Sequence, residues 1–329
     1  MNIVIVLNEI IPVLDYGGTE RVIWYLGKEL AKLGHKINFL VKDGSSCPFA
    51  NVIFINRNKD IIAQIPDYVD IVHFNFRPAN IQDIKKPYLI TMHGNENSQV
   101  QFDLNTVFVS KNHANRYGSE SYVHNGLDWD DFVKPDLNLK REYFHFLAKA
   151  AWRIKNVKGA IDVIEGTHRE KLKVLGGVRF NFKMGWRFTF SSHVKFYGMV
   201  NDKKKSEILN RSKGLIFPVR WHEPFGLSII ESLFYGCPVF GTPYGSLPEI
   251  VQADVGFLTN KKSELINAIE NYEEFSNKSC HEFALDNFNS KKMAVSYLEK
   301  YQRVLSNEKL NQIEPSLIEV QKEKFLDWS

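Results

Sequence analysis

Short apolar runs of strand length alternate along the chain with longer stretches in which apolar residues recur every three or four positions. The chain opens on NIVIVL, a continuous apolar run of the kind that predicts a buried parallel strand. GGTERVIWYLGKELAKLGHKINFLV follows. It predicts a Gly-Gly turn, an amphipathic helix with Val22, Ile23, Leu26, Leu30 and Leu33 on one face, a stop at Gly34 and a second strand from Lys36. Further strands are predicted at 51–55, 70–76, 88–94, 106–110 and 121–126. Alternation of this kind predicts an open, mostly parallel sheet.

After the polar stretch LDWDDFVKPDLNLKRE at 127–142 the pattern restarts. YFHFLAK, LKVLGG, VKFYGMV, GLIFP and CPVFG predict strands, with helices around 156–165, 203–212, 225–235 and 262–271. The expected fold class is α/β, with two doubly wound Rossmann-like domains facing a central cleft. The expected boundaries are 1–135 for the first domain and 136–290 for the second. A final helix around 290–306 is expected to return towards the first domain, with a charged tail completing the segment 291–329. A length of 329 residues suits two domains of ordinary size.

Composition narrows the picture. Hydrophobic residues at 44% and aromatics at 13% indicate a packed globular chain. A formal charge of +4 falls short of the footprint of a dedicated nucleic-acid binder. Cys47, Cys237 and Cys280 are odd in number and lack metal-ligand spacing, which points to a reducing compartment. The opening residues lack the basic start of a signal peptide, and no apolar run approaches the ~18 residues needed to span a bilayer. A cytoplasmic location is expected. Lys28, Lys32 and Lys36 beside the first helix, and Lys85 with Lys86, admit either a peripheral contact with the inner face of a membrane and a lipid-linked acceptor, or an ordinary solvated surface.

The candidate chemistry centres on WHEPFGLSIIESLFYGCPVFG, residues 221–241. Pro224 suits a first helical turn, and Gly236 with Pro238 reads as a stop, so a short helix is predicted over Phe225 to Tyr235. Its start would aim the amides of Phe225, Gly226 and Leu227, with the positive end of the dipole, at an anion. Gly226 allows close approach, and Glu223 and Glu231 lie to either side, where they could accept hydrogen bonds from hydroxyls. A nucleotide sugar, with a diphosphate between two sugars, satisfies all three features. An amphipathic helix with two solvated glutamates is the plainer reading of the same residues.

Pro218, Glu223, Pro224, Phe225, Gly226, Leu227, Glu231, Gly236, Pro238, Val239 and the LPEI at 247–250 together resemble the donor-binding core of retaining, family-4-like glycosyltransferases of the GT-B fold, with their E-x7-E signature. Further matches to the family pattern run from GGTE at 17–20 to GFL at 256–258, most of the length of the chain. The resemblance implies that Glu223 and the backbone of Phe225 and Gly226 hold the donor sugar and its phosphate, and that Glu231 takes the ribose hydroxyls. It implies that Gly17 and Gly18 meet the diphosphate and that His93, in TMHGN, faces the reaction centre. The family pairs an Arg with a Lys five or six residues on after the first strand of the second domain. Here either Lys149 with Lys155 or Arg153 with Lys158 fills that pattern. The first register is preferred, with Arg153 as an additional candidate. His73 and His124 read as packing or polar lining, and Ser110, Asn125 and Gly126 match family landmarks expected to shape the cleft floor.

The implied activity is retaining transfer of a sugar from a nucleotide diphosphate donor, a UDP-sugar being favoured, to a hydroxyl acceptor in polysaccharide, lipopolysaccharide or glycoconjugate assembly. No other cofactor and no nucleic-acid partner is expected. DWD at 128–130 spells a metal-binding D-x-D, but the lysines and the helix start already place positive charge at the diphosphate, and no metal is expected. A nucleotide-sugar epimerase of the same fold and a non-catalytic nucleotide-sugar-binding module remain as alternatives.

Overall fold

The computed structural model describes residues 1–13, 17–182 and 184–329. The chain forms two compact units. The first comprises Met1–Trp129 and Phe288–Gln321, the second Asp130–Asn287 and Lys322–Ser329. The division falls six residues before the expected boundary at 135/136, and the last eight residues belong to the second unit. Those residues are held there by backbone bonds from Leu326 N to Arg220 O and from Ser329 N to Asn260 O.

In the first unit β1 (Asn2–Val6), β2 (Lys36–Val41), β3 (Asn51–Phe54), β4 (Ile71–Phe74), β5 (Tyr88–Met92) and β6 (Thr106–Phe108) form one parallel sheet in the order β3-β2-β1-β4-β5-β6. β1 and β4 are buried on both faces, His73 being the one polar residue of β4, and Val4, Val6, Leu40, Val72, Phe74 and Ile90 form one core cluster. α1 (Thr19–Lys32) buries the predicted Val22, Ile23, Leu26 and Leu30. The helix Ser290–Leu305 also belongs to this unit and buries Met293, Ala294, Tyr297, Tyr301 and Val304. The segment 121–126 is not a strand. Tyr122 makes only an isolated bridge to Phe108, and the six-residue α2 (Lys111–Arg116), which the apolar periodicity does not reveal, precedes it.

The second unit repeats the topology. β7 (Tyr143–Leu147), β8 (Leu172–Leu175), β11 (Val194–Phe196), β12 (Ser212–Phe217), β13 (Val239–Gly241) and β14 (Gly256–Leu258) form a parallel sheet in the order β11-β8-β7-β12-β13-β14. A small antiparallel pair, β9 (Phe180–Asn181) with β10 (Arg187–Phe188), is inserted between β8 and β11. The helices are α3 (Val157–Glu165), α4 (Asp202–Leu209), α5 (Leu227–Phe234), α6 (Leu247–Ile250), α7 (Lys262–Glu270) and α8 (Asn277–Asn287). α4 stops short of the predicted 212 because Ser212 is already the first residue of β12. Among the described residues no helix is long and apolar enough to cross a membrane.

Candidate functional site

In an open α/β sheet the ligand crevice lies outside the carboxyl ends of the two strands at which strand order reverses. In the second unit those strands are β7 and β12. The loop after β7 passes through a short 3-10 turn, Arg153–Lys155, to Asn156, which adopts a left-handed backbone (φ 55°). The Asn156 side chain ties two loops together. Its Oδ1 accepts from Gly159 N (3.0 Å), capping α3, and its Nδ2 donates to Pro218 O (2.9 Å) in the loop after β12. Gly159 is required there, since a Cβ would lie 2.3 Å from Asn156 Nδ2.

That brace brings Lys155 to Glu223. Lys155 Nζ donates to Glu223 Oε2 at 2.5 Å, with the two side chains only 12% and 7% exposed. The ammonium also lies 4.8 Å from the centroid of the Trp221 ring and 5.3 Å from that of Phe217. Trp221 Nε1 donates to the same Oε2 at 2.9 Å, which leaves Oε1 without a protein donor among the described residues.

The peptide carrying Glu223 is clamped by the loop after β13. Ser246 N donates to Glu223 O (2.9 Å) and Ser246 Oγ to Phe225 O (2.7 Å). Gly245 is pressed so close that a Cβ would sit 2.2 Å from Glu223 N. Gly226 turns the chain into the helix with φ +89°, a conformation L side chains avoid. α5 therefore begins at Leu227, two residues later than the punctuation predicts. Ile229 N bonds back to Gly226 O (2.9 Å), while the amides of Gly226, Leu227 and Ser228 have no acceptor among the described residues. Phe225 anchors the turn with a buried ring. At the other end of α5 the buried Arg141 guanidinium donates to Tyr235 O (3.0 Å), placing a cation at the negative end of the dipole. His145 bridges β12 and α5 through Ser212 Oγ (2.6 Å) and Ser232 Oγ (2.8 Å), and burial pushes its pKa down to about 3.

Glu231 is buried on α5, where Lys205 of α4 meets its Oε2 at 2.9 Å; Lys205 also reaches Asp202 at 3.1 Å. Both signature glutamates are thus held by a lysine, so neither is a solvated helix residue. Of the basic residues after β7, Lys155 alone is brought to Glu223. Lys149 is exposed with Nζ 5.4 Å from the Trp152 ring centroid, and Arg153 is exposed over Phe325 at 5.0 Å.

In the first unit His93 follows β5 and Asn75 follows β4. Asn75 Nδ2 donates to Val6 O (3.3 Å), so its Oδ1 is the acceptor for His93 Nε2 at 2.9 Å. Nε2 therefore carries the proton and Nδ1 presents the lone pair. Desolvation lowers the His93 pKa to about 4 and keeps the ring neutral. His73 is fully buried between Tyr301 Oη and Thr91 Oγ1 (2.8 Å each), as packing requires. Gly18 caps α1, and a Cβ on Gly17 would lie 2.9 Å from Glu20 Oε2. Ser110 caps α2 by accepting from His113 N, and a Cβ on Gly126 would strike Asn289 O at 2.2 Å. Both have structural work within their unit.

The D-x-D carboxylates do not converge. Asp128 is buried against Lys28 (3.0 Å) and Lys32 (2.9 Å), whereas Asp130 is exposed and pairs with Lys134 (3.2 Å). No group of His, Cys, Asp and Glu among the described residues is arranged to hold a metal ion. The same pairs neutralise two of the three lysines that the α1 region offers to an anionic surface. Trp221, Asn156, Lys205, Ser246 and Asn75 are the supporting residues that the sequence reading missed. Trp221 carried a signal, lying two residues before Glu223, while Lys205 lies 26 residues from its partner and has none.

Two doubly wound parallel sheets in one chain are the GT-B architecture, and solved structures with this fold that resemble the chain include glycosyltransferases. Residues 128–284, which include both signature glutamates, match the model of the family Glycosyl transferases group 1. Over 90% of this chain and 97% of the relative, the sequence is 25% identical to the N-acetyl-alpha-D-glucosaminyl L-malate synthase of Bacillus anthracis. AviGT4, a glycosyltransferase involved in avilamycin A biosynthesis, superposes with a TM-score of 0.74 at 17% identity, covering 93% of this chain and 98% of that one. Alr3699/HepE of Anabaena, solved with UDP and glucose, gives 0.66 at 14% identity, covering 92% and 99%.

Proposed function

We propose that this protein is a retaining glycosyltransferase that moves a sugar from a nucleotide diphosphate donor, a UDP-sugar in the favoured case, to a hydroxyl acceptor in glycan or glycoconjugate assembly. The observation that carries the reading is the meeting of Lys155, Glu223 and the open amides of Gly226, Leu227 and Ser228 at the carboxyl ends of β7 and β12. It is supported by the match of residues 128–284 to the Glycosyl transferases group 1 model, by the similarity to an N-acetyl-alpha-D-glucosaminyl L-malate synthase and by the shared fold of a solved glycosyltransferase.

The roles follow from the charges. Without donor, Lys155 and Glu223 neutralise one another. An incoming diphosphate competes for the ammonium and the helix amides, which frees the Glu223 carboxylate for hydroxyls of the donor sugar. Glu231, held by Lys205, takes the ribose hydroxyls. As the glycosidic bond breaks, negative charge collects on the departing diphosphate. Fixed amides and Lys155 then stabilise that charge at no reorganisation cost. No metal is assigned to this step. Gly17, Gly18, Lys149 and Arg153 are assigned further contacts to the donor, and Phe225 and Leu227 fix the helix start. His93, neutral with Nδ1 as acceptor, is assigned the place where an acceptor hydroxyl or the transferred sugar is oriented. The domain assignment is acceptor to the first unit, donor to the second, and the assigned compartment is the cytoplasm.

Incubation with a panel of UDP-, GDP-, ADP- and dTDP-sugars tests the reading. The expected result is nucleoside diphosphate release that rises with a hydroxyl acceptor, with the anomeric configuration of the donor kept in the product. Conversion of a donor to its epimer without acceptor, or binding with no turnover under any acceptor, would replace it by one of the two alternatives.

A further inference from the structure

The β9–β10 hairpin is built inside out. From Val178 to Phe190 the chain alternates strictly, with Val178, Phe180, Phe182, Met184, Trp186, Phe188 and Phe190 at one parity and polar residues or glycine at the other. A strand pair on a globular core normally turns its apolar parity inward. Here Asn181 and Thr189 are the buried positions, and all seven apolar residues are exposed, Trp186 at 79% and Phe190 at 82%.

Both arginines of the polar parity have partners on the protein. Arg179 donates to Thr189 O and Ser191 O (3.0 Å each), and Arg187 reaches Thr189 Oγ1 and Val178 O (2.8 Å each). The guanidinium of Arg187 also lies 4.9 Å from the Phe196 ring centroid. These bonds fix which parity faces out. The outward rings form a cluster in which Phe188 lies 6.1 Å from Phe180, 5.6 Å from Phe182 and 6.5 Å from Trp186. A contiguous aromatic surface of this kind is rare on a soluble monomer unless something apolar covers it.

Charge says what covers it. From Lys171 to Asn201 the chain contains Lys171, Lys173, Arg179, Lys183, Arg187 and Lys195, and no Asp or Glu. A second copy of this hairpin packed on it would bring one net-positive segment against another. An anionic bilayer offers both an apolar interior for the rings and opposite charge at its surface, where Trp and Phe characteristically settle. We propose that the 178–190 hairpin docks the protein on an anionic lipid bilayer by inserting its outward aromatic face between the headgroups. This surface is distinct from the lysines near α1, and the proposal does not depend on the catalytic reading.

Flotation of the full chain with vesicles tests it, using phosphatidylcholine alone and phosphatidylcholine mixed with phosphatidylglycerol. The wild type is expected to float with the mixed vesicles, more weakly with the neutral ones, and to lose binding as salt rises. Trp186→Ser combined with Phe190→Ser should weaken binding by roughly tenfold or more, since each ring withdraws apolar area from water on insertion. Both positions are highly exposed, so the melting temperature of the double variant should match the wild type. The proposal is overturned by a wild type that floats with neither vesicle, or by binding that the double substitution leaves unchanged. It is equally overturned by a concentration-dependent dimer that the same substitutions dissolve.

Discussion

The Lys155–Glu223 pair allows a quantitative test that needs no knowledge of the acceptor. Its side chains are 12% and 7% exposed, so screening by water is slight. A hydrogen bond to a charged group contributes about 1.5–3 kcal/mol, and removing one partner of a buried ion pair costs up to about 3–5 kcal/mol. Lys155→Met should therefore destabilise the second unit by about 2–3 kcal/mol, because Glu223 keeps only the Trp221 indole. Glu223→Gln should cost about 1 kcal/mol, since the amide oxygen still accepts from both donors. A double-mutant cycle by urea denaturation should give a coupling of about 1.5–3 kcal/mol in the free protein. With saturating nucleoside diphosphate the coupling should fall below about 1 kcal/mol, because the ammonium has turned to phosphate. A coupling near zero in the free protein, or one that ligand leaves unchanged, would refute the exchange of partners on which the proposed mechanism depends.

In turnover, Glu223→Gln should lower kcat by two orders of magnitude or so, whereas Glu231→Gln should chiefly raise the donor KM, by about tenfold; initial-rate kinetics over donor concentration separate the two. Activity should persist in excess EDTA, and a stringent requirement for added divalent metal would return attention to Asp128 and Asp130. The folded-state pKa values of His73 and His145 are lowered by burial to about 3, against ~6.5 in the unfolded chain, so their stabilising effect is complete above pH ~6.5 and is lost as pH falls below it. Melting temperature should drop between pH 6.5 and 4.5, with a free-energy slope of about 1.4 kcal/mol per pH unit for each such histidine; a flat profile would contradict their burial as neutral rings. His93, its pKa lowered to about 4, should give a rate profile with no limb near 6.5 that disappears in His93→Gln.

Both sheets and most of their strands were legible because parallel strands covered on two faces read as unbroken apolar runs, as in NIVIVL and GLIFP. The segment 121–126 has the same local character but only bridges Tyr122 to Phe108, since strand pairing is decided by tertiary neighbours that periodicity cannot see. The start of α5 was displaced because Gly226 takes the left-handed turn and leaves Pro224 outside the helix. The two glutamates stood out through their spacing, but their lysines did not. Lys155 is 68 residues from Glu223 and Lys205 is 26 from Glu231, and only the fold brings either pair together. The inverted hairpin escaped the strand predictions because its two paired residues per strand are too few to register, although its alternation is plain once its exposed face is known.

The amides of Gly226, Leu227 and Ser228 can be observed directly in protein labelled with 15N at glycine, leucine and serine. The ligand should be whichever of UDP, GDP, ADP and dTDP raises the melting temperature most, titrated beside its diphosphate-free nucleoside. The account predicts that these three amide protons move downfield on binding the diphosphate and stay in place with the nucleoside. Resonances that ignore every nucleoside diphosphate, or binding that perturbs only amides remote from α5 and Lys155, would contradict it.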